Sequence, residues 1–71
     1  MYIGLNWQGV VYDLDANKHT VSEIVDIIAA HVGDPHGTWL WLANGGTVHL
    51  FYPDVPVYAL AIDQEIHKRG S

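Results

Sequence analysis

Ile3, Leu5 and Trp7 alternate with Gly4 and Asn6, the period-two pattern of a strand, so residues 2–7 predict a first strand. Gln8-Gly9 suits a tight turn, after which Val10, Tyr12 and Leu14 alternate with Val11, Asp13 and Asp15 across a second strand, 10–14. A polar connector, 15–19, leads to a change of period. Val21, Ile24, Val25, Ile28 and Val32 recur at helical spacing, with Ile27 widening the stripe, and predict a helix over 21–32. Thr20 followed by Glu23 fits a capping box, in which the hydroxyl and the carboxylate each take a free amide of the first turn. Gly33 supplies a left-handed stop and Pro35 bars continuation. Period two then returns over 38–43, 47–52 and 57–62, with Asn44-Gly45 as a hairpin turn, Gly46 as a bulge, and Pro53-Asp54-Val55-Pro56 as a rigid corner. Asp63 is a candidate cap for a short helical turn through His67, within an expected C-terminal tail over 63–71.

The resulting order is ββαβββ, a single small α+β domain over 1–71. Its second half reads as a three-stranded antiparallel meander to which the N-terminal hairpin joins, and its one helix packs on one face of the sheet. The later strands are apolar on both sides. Trp39 and Trp41 oppose Leu40 and Leu42, while Tyr58, Leu60 and Ile62 oppose Val57, Ala59 and Ala61. An antiparallel sheet with one wet face ordinarily alternates apolar with polar. One helix covers one face only. Either the sheet curls to bury both sets, or a second copy or a different partner covers the other, because a bare face would exceed what monomers usually expose. The residues expected to anchor such a contact are Trp39, Trp41, His49, Phe51 and Tyr58.

Composition sharpens this picture. Seventy-one residues lie near the lower limit for independent folding, the chain has no cysteine to staple it, and 49% of it is apolar against 15% charged. That balance favours a homodimer. The net charge is −5, and residues 1–66 hold all eight acids against Lys18, for −7. So acidic a body repels phosphate, which argues against nucleic acid as a partner. No apolar run approaches the roughly 20 residues of a membrane span, and no basic-then-apolar leader opens the chain, so a cytoplasmic protein is expected. The residue usage, with few lysines, suits a bacterial or phage protein.

Catalytic chemistry is poorly provided for. The serines are Ser22, on the helix, and Ser71, neither in a nucleophile elbow; Asp13 and Asp15 share a strand face but read as solvated acids. Asn44-Gly45-Gly46 precedes no helix and so is not a phosphate loop. Five histidines raise the question of metal, and His31, Asp34 and His36 cluster in sequence around the helix end as its weak candidates, though their spacing is not a ligand motif. No cofactor and no enzyme activity are expected.

The run Phe51-Tyr52-Pro53-Asp54-Val55-Pro56 resembles the strand-to-turn segment of HicB-type antitoxin domains over six residues. That family places the segment before its helix rather than after it, so no residue roles carry over. The leading expectation is a non-enzymatic, homo-oligomeric protein-interaction module, a small accessory or regulatory factor that binds itself or a larger protein through an aromatic sheet face. The alternatives are a metal-ion or small-molecule binder using the histidines near the helix end, and an acidic antitoxin-like or anti-host inhibitor occupying a basic site.

Overall fold

Positive φ angles at Gln8 (52°) and Gly9 (89°) form the two-residue turn of the first hairpin, whose twist matches the strands it joins. A computed structural model of the chain describes residues 1–62, so the expected helical turn and tail lie outside the described residues. The elements are β1 (Ile3–Trp7), β2 (Val10–Leu14), α1 (Val21–Ala30), β3 (Thr38–Trp41), β4 (Thr47–Leu50) and β5 (Tyr58–Ile62). The order ββαβββ and the α+β class are those the sequence predicts.

The strand pairing is not. Instead of a β3-β4-β5 meander, β5 pairs antiparallel with β1, giving one sheet of order β2-β1-β5 and a second of order β3-β4. The Pro53–Pro56 corner explains the crossing: neither proline can donate to a ladder, so the chain leaves β4 there and travels to the free edge of β1. The two sheets meet at a single bridge between Leu14 and Leu42, flanked by Asp15 N–H donating to the Trp41 carbonyl and Ala43 N–H to the Asp13 carbonyl, both 2.9 Å. The second hairpin also differs from its expected form. Gly45 N–H returns to the Leu42 carbonyl at 3.0 Å and Leu42 N–H to the Gly46 carbonyl at 2.8 Å. Asn44 keeps a negative φ while Gly45 takes +93°, so the loop has three residues rather than two.

Helix α1 closes the core. Ile24 and Ile28 are buried against Ile3, Leu5, Trp7 and Leu14 of the first sheet and Leu40 and Leu50 of the second, with Val21 and Ile27 packed alongside. The buried stripe is rotated from the expected one, and Val25 and Val32 are exposed. At the N-terminus, Glu23 N–H donates to Thr20 Oγ1 at 3.1 Å, but the Glu23 carboxylate accepts from His19 instead of completing the capping box. At the other end the helix stops at Ala30, short of Val32. The Tyr52 hydroxyl takes the carbonyl of Ile28 at 2.7 Å, and Gly33 N–H donates to the Tyr52 carbonyl at 2.9 Å, so one residue after β4 satisfies two groups of the fraying turn. Trp7 packs edge-on against Tyr52, ring centroids 5.1 Å apart.

Burial pushes the Tyr52 phenol above its usual range, helped by Tyr58 and Asp34. A phenol whose pKa is raised on folding stabilises the fold fully below the ordinary tyrosine range, and that contribution is lost as pH climbs through its folded value. Tyr52→Phe, read by urea unfolding, should cost about 1–2 kcal/mol at neutral pH, the loss of one buried hydrogen bond with its carbonyl left behind. The gap between the two proteins should narrow in alkali, where only the native chain must ionise this ring. A gap independent of pH would show that the hydroxyl is not the group responsible.

Candidate functional site: an exposed aromatic face

The β3–β4 hairpin presents its two sides to different surroundings. Thr38, Leu40 and Leu50 point inward and are buried, so the alternation turns Trp39, Trp41 and His49 outward. The indoles are not folded into the protein's own interior: Trp39 is 62% exposed and Trp41 45%. Phe51, between buried Leu50 and Tyr52 just past β4, is 55% exposed on the same side. The structure therefore brings together four of the five expected anchors. Tyr58 is not among them. Because β5 joins β1, Tyr58 stands opposite Trp7 on the helix-covered side, its ring 6.0 Å from that indole.

Trp39, His49 and Trp41 are held in place. Trp39 faces His49 across the ladder, and their rings lie 4.4 Å apart at an interplanar angle of 33°. His49 Nε2 donates to the His36 carbonyl at 2.7 Å, which fixes the proton on that nitrogen and tethers the imidazole to the 34–37 turn. Gly37 makes this tether possible, since a Cβ there would lie 2.8 Å from His49 Nε2 and collide with the Leu50 carbonyl oxygen. Lys18 Nζ sits 4.8 Å from the centre of the Trp41 ring, a cation–π contact.

Beneath Trp41 lies His19, which belongs to the polar connector in the sequence but is buried in the structure. Its Nε2 accepts the Trp41 N–H at 2.9 Å and its Nδ1 donates to Glu23 Oε1 at 3.1 Å. This neutral tautomer links the start of α1 to the strand that carries both indoles. The signal for it was present as a His–Glu pair at i and i+4, the spacing of neighbours on one helical face. Gly37 carries no such local signal, because the requirement it meets comes from His49 and Leu50 of β4.

The histidines near the helix end make a different arrangement from a metal site. His31 Nδ1 contacts Asp34 Oδ2 at 2.8 Å, while Asp34 Oδ1 accepts the His36 N–H at 2.9 Å. The His31 hydrogen bond, with that of the His36 amide, holds the Asp34 carboxyl below its ordinary range. Both Asp34 oxygens thus serve the turn, and among the described residues no three His, Asp or Glu side chains converge to hold a metal ion. Asp13 is exposed, and Asp15 Oδ1 accepts the Asn17 N–H at 2.9 Å in the connector. No helix among the described residues is long and apolar enough to cross a membrane.

Comparison with protein families, with characterised proteins and with solved structures returns no match to this chain. What the chain is similar to therefore adds nothing to the reading, and the six-residue likeness to HicB-type antitoxin domains has no wider support.

Proposed function

We propose that the protein is a non-enzymatic binding module whose Trp39, Trp41, His49 and Phe51 face docks into an apolar socket with a basic rim on a larger protein. The observation that carries this reading is the exposure of two indoles and a phenylalanine on one side of one hairpin, a concentration of the residue types that dominate binding hot spots. The contacts of Trp39 with His49 and of Trp41 with Lys18 reduce the rotamer freedom lost on docking. Charge selects the partner's sign. Asp13, Asp15, Glu23, Asp26, Asp34 and Asp54 face a single Lys18 among the described residues, so a basic rim is attracted and an acidic one repelled.

Affinity capture with the native chain and with a W39A/W41A variant tests this. The native chain should retain a partner protein that the variant loses, with the dissociation constant raised about 100-fold or more, the effect of removing two hot-spot side chains. Binding should weaken with salt, as expected for opposed charges. Equal retention by the two chains, or affinity indifferent to salt, would overturn the reading. The variant should lose about 1–2 kcal/mol of stability, the worth of the Trp39–His49 and Lys18–Trp41 contacts, and remain folded.

A further inference from the structure

We propose that β5 is a self-association strand, across which a second copy of this chain adds in antiparallel register about a two-fold axis through Leu60. β5 lies at the end of the first sheet, and among the described residues its outer edge meets no other strand. Which groups it offers follows from its pairing with β1. Gln8 N–H donates to the Val57 carbonyl, so Val57, Ala59 and Ala61 direct their backbone groups toward β1. By alternation, Tyr58, Leu60 and Ile62 direct theirs outward.

A two-fold at Leu60 sets Leu60 opposite Leu60 of the partner subunit and Tyr58 opposite the partner's Ile62. Each of these is a pair whose N–H and C=O groups both point across the gap, giving about six inter-chain hydrogen bonds. Ala59 then faces the partner's Ala61 on the other side, in the close, non-hydrogen-bonded positions that small residues fit. The sequence Tyr58-Ala59-Leu60-Ala61-Ile62 is thus large-small-large-small-large about its own centre, the self-complementarity that an isologous contact requires.

The edge also lacks the features that normally block such pairing. It carries no charge, no proline and no bulge. The strip itself is uncharged, so pairing two copies across it sets no like charges in contact, and it offers a basic partner no counter-charge. Beside β5, Val25, Ala29, Val32, Val55, Pro56 and Tyr58 line an apolar groove of about 200 Å³. The pairing brings the partner's Ile62 alongside Tyr58 at the mouth of this groove, and Leu60, only half-buried in one chain, gains its missing neighbour.

Sedimentation velocity on the full chain tests the proposal with paired variants. The native chain should sediment at twice the protomer mass at high concentration. A59K/A61K sets like charges directly opposite each other and should raise the dissociation constant about tenfold or more. A59K/A61E places opposite charges in the same positions and should restore the dimer. W39A/W41A should leave the dimer intact, which separates this surface from the aromatic one. Hydrogen exchange on the native chain gives a measurement independent of variant folding: the Tyr58 and Leu60 amides should become more protected as concentration rises. A monomer at every concentration, a dimer indifferent to A59K/A61K, no restoration by A59K/A61E, or amides whose exchange ignores concentration would each overturn the proposal.

Discussion

Gly37→Ala should cost about 3 kcal/mol or more, enough to leave much of the protein unfolded, since a core of this size rarely supplies more than about 3–5 kcal/mol. Two effects combine. Gly37 has a φ of +68°, where a side-chain-bearing residue costs about 1–2 kcal/mol. In addition, the new Cβ would overlap the Leu50 carbonyl oxygen and lie 3.2 Å from the Leu50 carbonyl carbon. Leu50 cannot retreat freely, because it pairs with Thr38 and belongs to the buried core. Gly45→Ala isolates the first effect: its φ is +93°, but nothing lies within 4 Å of the position a Cβ would take, so it should lose only about 1–2 kcal/mol. Urea unfolding followed by circular dichroism measures both. Equal losses in the two variants would show that the contact with Leu50 relaxes away.

His19→Ala should cost about 2–3 kcal/mol. The change removes the acceptor of the Trp41 N–H and the donor to Glu23 together. The larger share comes from the Trp41 amide, which is left facing the space vacated by a buried side chain without a partner. His36→Ala is the control. It is exposed, and the group it contributes to His49 is its backbone carbonyl, which alanine keeps. That variant should stay within about 0.5 kcal/mol of the native chain. If His19→Ala is equally mild, water or a neighbour fills the vacancy and the link between helix and hairpin is weaker than its geometry implies.

These two residues also mark where sequence reading stops. The elements themselves were legible, because periods of 2 and 3.6 are local properties. The aromatic face was legible as one of two outcomes: a sheet apolar on both sides with one helix to cover it either curls over its second side or leaves it uncovered, and Trp39, Trp41, His49 and Phe51 are exposed. Pairing was not legible. Periodicity says that residues 58–62 form a strand but not which strand it meets, and assuming the nearest one in sequence put Tyr58 on the wrong side of the sheet. His19 was lost for a related reason. A histidine in a polar connector looks solvated until a strand more than twenty residues later arrives to donate to it.

The pairing of β1 with β5 has a consequence for how the chain comes together. The innermost strand of the first sheet spans residues 3–7, yet one of its two neighbours is the last strand described, 58–62. A nascent chain that has not yet delivered residue 58 holds Ile3, Leu5 and Trp7 along an open edge, with nothing to complete them. Contacts of such wide sequence separation slow folding relative to helical domains of similar length. Residues 58–62 must therefore be made before residues 3–7 can reach their final place.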